Sequence, residues 1–149
     1  DMLAEQERYG QKTGAGIFRY ESGSRKPIPD PDVQQMIRAE AQRLGIEQRE
    51  ISADEIIERC VYALVVEGAR ILDEGIAVRS SDIDVVWANG YGFPRYRGGP
   101  MFYADTVGTA QVRDRVRDFC DRFGEQYWSV PPLLDRLADD NARFSDLQD

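Results

Sequence analysis

The stretch from residue 52 to residue 75 limits the fold more than any other part of the sequence. It opens Ser-Ala-Asp-Glu, the order of a helix capping box, in which Ser52 caps the first turn and Glu55 reaches back to it. Gly75 is placed to end the helix that begins there. Residues 60–66, in its middle, are apolar on nearly every side. The sequence therefore predicts a long, central and buried helix.

Gly68 lies inside this predicted helix. A glycine in a helix interior costs about 1 kcal/mol relative to alanine, so its presence needs a compensating reason. We expect a second helix to cross close to the backbone at Gly68, where a larger side chain would keep the two helices apart.

Helical spacing and turn residues continue on both sides of this segment. Apolar residues recur at three- and four-residue steps from Val33 to Leu44, and Gly45 is placed to end that helix. Before it, the alternating prolines of residues 27–31 favour an extended linker. The sequence predicts further helices at 82–88, 101–106, 109–123 and 131–140, and a frayed acidic tail from residue 141. The predicted fold class is all-α, a helical bundle preceded by an extended linker.

The composition excludes several classes of partner and site. The net charge of −8 would repel the phosphates of nucleic acid. No apolar run approaches the roughly 18 residues that a membrane span needs. Cys60 and Cys120 each lack a second cysteine nearby, so we expect two free thiols in the core rather than a metal or redox site. Free thiols fit a reducing compartment, and we expect a cytoplasmic location.

Histidine does not occur in the 149 residues. Its absence excludes Ser-His-Asp and Cys-His nucleophile pairs, histidine-ligated metals and imidazole acid–base chemistry. Any catalysis would have to use carboxylates, tyrosine, cysteine or lysine. Enzymes can work with these groups, but the commonest route to acid–base and nucleophilic catalysis is closed.

Glu67 is the least expected residue of the central helix, because it directly follows an apolar run that ends at Val66. A carboxylate buried there is costly unless it is paired. One interpretation makes Glu67 a general base with a raised pKa. The other pairs it with Arg59, Arg70 or an arginine of residues 95–97. We favour the ion pair, because nothing else in the sequence completes a catalytic constellation.

Residues 90–100 form a predicted loop that is dense in glycine, aromatic residues and arginine. Loops of this kind are good docking surfaces, and Arg95 and Arg97 could receive phosphates such as those of coenzyme A. Alternatively, the loop folds over the core and its arginines form ion pairs with acidic residues of neighbouring helices. We favour the second interpretation.

Three short patterns resemble ligand sites without their context. The glycines of residues 14–16 and of residues 90–92 lack the third glycine of a dinucleotide loop and its strand–helix surroundings. Asp82 and Asp84 are interpreted as charges at the N-terminus of a helix rather than as metal ligands.

Several motifs occur together in an informative order. Residues 9–20, YGQKTGAGIFRY, resemble the segment that closes the C-terminal domain of 3-hydroxyacyl-CoA dehydrogenases. Residues 67–75, 82–84 and 90–105 resemble an internal pattern of that same domain. A closing segment followed by a new copy resembles the tandem helical domains of multifunctional enoyl-CoA hydratase/3-hydroxyacyl-CoA dehydrogenases of fatty-acid β-oxidation.

This resemblance implies a domain organisation. Residues 1–20 would close a preceding helical domain, residues 21–50 would be a linker and a helix, and residues 51–149 would be the second helical copy. In that family a hydratase domain and an NAD-binding Rossmann domain come first, and the Rossmann domain holds the catalytic His–Glu pair. The second copy is understood to replace the dimer partner of the monofunctional enzyme. The first copy's central helix begins with an Asn-Arg pair whose asparagine contributes to the active site, and Glu58 and Arg59 match that pair here.

The resemblance therefore implies a non-catalytic scaffold domain that packs against the first helical copy and the Rossmann domain of an enzyme using NAD and an acyl-CoA thioester. On this basis we predict no catalytic, cofactor-binding or metal-binding residue in this chain. The alternative is a free-standing helical module that binds acyl-CoA or a protein partner through residues 90–100. We expect the isolated chain to self-associate as a homodimer, and a thiolase partner of the parent is left open. The candidate contacts with a partner domain or with acyl-CoA are Arg59, Glu67, Phe93, Pro94, Arg95, Arg97, Gly98 and Gly99.

Overall fold

The computed structural model describes residues 2–147 and divides the chain into two units, Asp1–Glu50 and Ile51–Asp149. The described residues of the first unit form α1 (Met2–Glu5), β1 (Phe18–Arg19), β2 (Ile28–Pro29) and α2 (Pro31–Arg43). Those of the second form α3 (Ala53–Asp73), α4 (Ser80–Gly90), α5 (Pro100–Val107), α6 (Thr109–Phe123) and α7 (Pro132–Asp139). Short 3₁₀ helices lie at Gln11–Thr13, Arg95–Arg97 and Phe144–Asp146. The prediction of an all-α fold is confirmed.

The first unit is organised around Asp30, which is 3% exposed. Its carboxylate caps α2 by accepting a hydrogen bond from the Asp32 amide at 3.1 Å. The Arg8 guanidinium donates to the same carboxylate and to the Gly16 carbonyl. This contact holds the pKa of Asp30 below its ordinary value. The predicted extended stretch contains β2, which pairs antiparallel with β1 so that Phe18 lies opposite Pro29.

The central helix α3 begins and ends as predicted. The Ser52 hydroxyl accepts a hydrogen bond from the Glu55 amide at 3.1 Å. Gly75, with φ of +70°, follows the last turn. The burial prediction is wrong for part of the helix, because Ala63 and Glu67 are exposed on the side opposite the core.

Gly68 is the point of close approach in the second unit, as expected. A Cβ atom at Gly68 would lie 2.4 Å from the sulfur of Met101 in α5 and 3.7 Å from Ile83 in α4. Met101 is fully buried, so its side chain cannot swing into solvent to make room. Glycine at this position therefore allows α5 to pack against α3.

The core of the second unit is formed by one face each of α3, α5, α6 and α7, with Ile83 of α4, Trp128 and Phe144 packed among them. Phe119 of α6 is fully buried, and its ring lies 4.9 Å from that of Trp128. Cys120 packs against this core from a partly buried position. The expectation of a core thiol is wrong for Cys60, which is exposed on α3. The other core side chains belong to Tyr62, Val65, Val66, Ala69, Met101, Ala104, Val112, Val116, Leu133, Leu134 and Leu137.

The tail after residue 141 is anchored, so the prediction of a frayed tail is wrong for the described residues. Phe144 is fully buried in the core. The amides of Phe144 and Ser145 donate to the two oxygens of the Asp105 carboxylate at 2.7 and 3.0 Å. Gln148 and Asp149, which also belong to the predicted tail, lie outside the described residues.

The N-termini of α4 and α6 have no side-chain cap. Arg79 precedes α4, and its side chain does not cap the helix. Thr109 is the first residue of α6, and its hydroxyl donates to the Ala142 carbonyl at 2.8 Å. Thr109 therefore ties α6 to the anchored tail.

None of the helices in residues 2–147 has the combined length and apolar character needed to cross a lipid bilayer.

Candidate functional site

An open cleft of about 570 Å³, here called the α3 cleft, lies beside the N-terminal half of α3. The opposite side is formed by the segment 93–97 and by side chains of α5 and α6. Apolar and aromatic side chains dominate its walls. The lining residues are Asp54, Ile56, Ile57, Glu58, Cys60, Val61, Tyr62, Phe93, Pro94, Tyr96, Arg97, Tyr103, Val107 and Gln111.

Asp84 fixes the turn that brings the segment 93–97 to the cleft. Its carboxylate accepts hydrogen bonds from the amides of Met101 and Phe102 at 2.8 and 3.0 Å, and so caps α5. Burial raises the pKa of Asp84, the two amide contacts lower it, and the charge of Asp105 raises it. Asp84 thus caps the N-terminus of α5. The sequence had instead suggested that its charge stabilises the N-terminus of α4, the helix to which it belongs.

Two glycines complete this turn. Gly99 has φ of +156°, and a Cβ atom there would lie 2.3 to 2.5 Å from three atoms of the Asp84 side chain. Gly98 has φ of +81°, and a Cβ atom there would lie 2.6 Å from the ring of Phe102. Both positions therefore require glycine for backbone and space reasons, which accounts for the Gly-Gly-Pro motif without a ligand.

Glu58 lies on the wall of the α3 cleft and is held by Arg115 of α6. The Arg115 Nε atom lies 2.7 Å from a Glu58 oxygen, and its Nη1 atom lies 2.7 Å from Asp118. The hydrogen bond to Glu58 raises the pKa of Arg115 above its ordinary value. The Glu58 carboxylate is therefore already neutralised by a partner within the domain.

Tyr62 lies at the base of the cleft and is 2% exposed. Burial, with a contribution from the Glu58 charge, raises the pKa of Tyr62 to about 12. Its hydroxyl therefore stays protonated at physiological pH and is able to donate a hydrogen bond.

The structure separates Arg59 and Glu67 from the α3 cleft. The Arg59 guanidinium lies over the Phe123 ring at 4.3 Å from its centre. Glu67 has 66% of its side chain exposed and lies 3.4 Å from Arg70, one of the three predicted partners. The prediction that Glu67 is buried is wrong, and an exposed pair of this kind contributes less than about 1 kcal/mol.

The 90–100 loop contributes unequally to the cleft. Phe93, Pro94 and Arg97 line it, whereas Arg95 donates to the Asn89 side chain at 3.1 Å. Arg97 stacks on the ring of Tyr96. Neither Arg95 nor Arg97 forms an ion pair within residues 2–147. The interpretation that they pair with acidic residues of neighbouring helices is therefore wrong. The interpretation that they receive coenzyme A phosphates stays a prediction.

Sequence reasoning missed the α3 side of the cleft. Tyr62 and Val61 stand in the apolar run of the central helix, and Ile56 and Ile57 precede it. The signal was available, because this run covers more of the helix circumference than one buried face needs. Ile56 and Ile57 are 52% and 48% exposed.

The glycine loop of residues 10–16 does not fit a dinucleotide. A Cβ atom at Gly16 would lie 2.8 Å from the Gly10 Cα atom, so the loop is closed on its own backbone. The Gly16 carbonyl is occupied by Arg8. Within the described part of the chain, no three acidic, cysteine or histidine side chains are grouped as metal ligands would be.

Comparison with known proteins places this arrangement in a family. The family model described as 3-hydroxyacyl-CoA dehydrogenase, C-terminal domain, matches residues 56–144, from α3 to the anchored tail. The peroxisomal bifunctional enzyme of Danio rerio is 50% identical over 140 residues, which are 93% of this chain and 20% of that protein. The human peroxisomal bifunctional enzyme is 46% identical over 124 residues, 80% of this chain and 17% of that protein.

A plant relative extends the comparison. The peroxisomal fatty acid beta-oxidation multifunctional protein of Oryza sativa subsp. japonica is 33% identical over 140 residues, 91% of this chain and 19% of that protein. The chain thus spans about a fifth of the length of these relatives. Their names contradict the expected cytoplasmic location, which rested only on the lack of paired cysteines. By the match over residues 56–144, the chain belongs to the family of the 3-hydroxyacyl-CoA dehydrogenase C-terminal domain.

Proposed function

We propose that this chain is the C-terminal part of a peroxisomal bifunctional enzyme of fatty-acid β-oxidation, and that residues 51–149 are its second, non-catalytic helical copy. Residues 1–20 close the first copy in this assignment. The parent enzyme has enoyl-CoA hydratase and NAD-dependent 3-hydroxyacyl-CoA dehydrogenase activities. The names of the relatives and their alignment with up to 93% of this chain support the proposal.

The observation that carries the non-catalytic role is the state of Glu58. The family resemblance matches Glu58 to the asparagine that contributes to the active site in the first copy. A carboxylate cannot donate the hydrogen bond that an amide donates. The Glu58 carboxylate is also occupied by an ion pair with Arg115 of α6 at 2.7 Å. The position is therefore used to join α3 to α6.

The role of this domain is to form an interface with the other domains of the parent enzyme. Large apolar side chains stand exposed beside the α3 cleft and along α4, among them Ile57, Tyr96, Val85 and Val86. Ile57 and Tyr96 line the same cleft, and apolar side chains grouped at a surface in this way are typical of an interaction site. Packing against the first helical copy and the Rossmann domain would cover it and close the acyl-CoA cleft of the parent.

The chemistry of the parent stays in its other domains under this proposal. NAD, bound in the Rossmann domain, accepts the hydride from the 3-hydroxyl carbon of the acyl-CoA substrate. This chain supplies no histidine to take the hydroxyl proton. Its contribution is to hold the neighbouring domains in position.

The purified 149-residue chain should not oxidise 3-hydroxydecanoyl-CoA with NAD, because it lacks both the hydride-acceptor site and the base. The measurement is NADH absorbance at 340 nm over time, with the parent enzyme as positive control and buffer as blank. Turnover by the clean chain above the blank would contradict the scaffold role.

A further inference from the structure

The Tyr62 hydroxyl is a donor in the α3 cleft that the domain itself does not use. Tyr62 is 98% buried, yet no residue in the described range 2–147 forms a hydrogen bond with its hydroxyl. Every fully buried polar side-chain atom in that range has a hydrogen-bond partner. The Tyr62 hydroxyl has none, so it is accessible from the cleft. Because this hydroxyl faces the open cleft and has no acceptor within the domain, it is available to donate a hydrogen bond to an acceptor from outside.

The walls around Tyr62 suit an apolar occupant. Val61 and Tyr103 flank it, and Ile57 and Phe93 lie on the two sides of the cleft. At the rim, Tyr96 is 83% exposed. Large apolar side chains that stand open at a rim gain free energy when a second surface covers them.

The charges of the cleft argue against an anionic occupant. Arg97 is the cationic side chain of the lining, and Asp54 and Glu58 lie in the same lining. Arg115 neutralises Glu58, and the chain as a whole carries a net charge of −8. A ligand with several phosphates, such as coenzyme A, would meet little net attraction here. A neutral carbonyl is the acceptor that fits the Tyr62 hydroxyl best.

We propose that the α3 cleft binds a neutral, apolar polypeptide segment whose main-chain carbonyl accepts a hydrogen bond from Tyr62. The segment belongs to the part of the parent enzyme that lies outside these 149 residues. About four-fifths of the length of the Danio rerio relative is outside the aligned region, so chain to fill the cleft is available. This inference rests on the proposed function and identifies the contact through which the scaffold holds its partner.

The test uses overlapping 15-residue peptides that tile the rest of the parent enzyme, each mixed with the 149-residue chain. Cys60 is exposed and lines the cleft, so a bound peptide shields it from alkylation by iodoacetamide. Cys120 lies outside the lining and serves as the internal reference. We expect at least one neutral, apolar peptide to slow the alkylation of Cys60 and to leave that of Cys120 unchanged.

Tyr62→Phe separates the hydrogen bond from the shape of the cleft. It removes one oxygen that has no partner in the domain, so the melting temperature should be kept. The dissociation constant of the protecting peptide should rise about fivefold to tenfold, the effect of one neutral hydrogen bond. Tyr127→Phe is the matched control, because Tyr127 is 73% exposed and outside the cleft lining. It should leave the dissociation constant unchanged.

Three results would overturn the proposal. These are the absence of a protecting peptide, an unchanged dissociation constant in Tyr62→Phe, and protection of Cys60 by coenzyme A or decanoyl-CoA in place of a peptide. Association of the whole chain with the rest of the parent enzyme, measured by sedimentation, separates the cleft assignment from the scaffold function. If they associate without any peptide in the cleft, only the cleft assignment fails. If they do not associate but a peptide binds with the Tyr62 dependence, the scaffold function fails and the cleft assignment stands.

Discussion

Replacing Phe144 with alanine should lower the free energy of unfolding by about 3–5 kcal/mol, the range for a fully buried phenylalanine. The Phe144 ring is 0% exposed and belongs to the core cluster of the second unit. The cavity should persist, because Asp105 holds the amides of Phe144 and Ser145 and prevents the tail from collapsing inward. Urea unfolding followed by circular dichroism at 222 nm, a helix signal, measures the change.

Phe102→Ala is the matched control for this prediction. Phe102 is 58% exposed on α5, so its truncation should change the free energy of unfolding by less than about 1 kcal/mol. If Phe144→Ala were as mild as Phe102→Ala, the tail would be frayed, as the acidic sequence after residue 141 suggests by itself.

Gly99→Ala should lower the free energy of unfolding by about 2–6 kcal/mol, the sum of backbone strain and overpacking of about 1–3 kcal/mol each. The new methyl group would fall within 2.5 Å of Asp84, including the Asp84 Cβ atom, which cannot rotate away. Relief would require Asp84 to leave the amides of Met101 and Phe102 and so to uncap α5. Thermal and urea unfolding of the variant measure the loss.

Gly90→Ala is the control for the glycine substitution. Gly90 ends α4, and no atom lies within 4 Å of a Cβ atom placed there. This variant should be as stable as the unsubstituted chain, or more stable by up to about 1 kcal/mol, because alanine favours the helix. A Gly99→Ala protein as stable as Gly90→Ala would show that the turn before α5 is not held by Asp84.

The sequence predicted helices well where the signals are local. Ser52 and Gly75 bound α3 through contacts within four residues, and Gly68 indicated a crossing helix because glycine there has no local benefit. The position of Glu67 was mispredicted because a nearly continuous apolar run hides which side of the helix faces the core. Burial of a helix face is set by its neighbours in space, which the spacing alone does not specify.

The tail and the cleft depend on distant residues. Asp105 binds the backbone of Phe144 and Ser145, and an aspartate near the end of a short helix gives no sign of such a distant partner. The α3 cleft joins residues near position 60 to those of the 93–97 segment. Tyr62 reads in the sequence as one more core residue, and only the packing reveals that its hydroxyl has no partner.

The most direct test of the scaffold role is reconstitution of the parent enzyme from two pieces. The chain of the Danio rerio relative would be ended before the residue that matches Asp1. The 149-residue chain would then be added as a separate polypeptide. The measured quantity is kcat/KM for NAD-dependent oxidation of 3-hydroxydecanoyl-CoA, with sedimentation to detect the complex. We predict that the cut enzyme is weakly active alone and regains activity as a one-to-one complex with this chain. Full activity of the cut enzyme, with no complex formed on addition of the chain, would contradict the account.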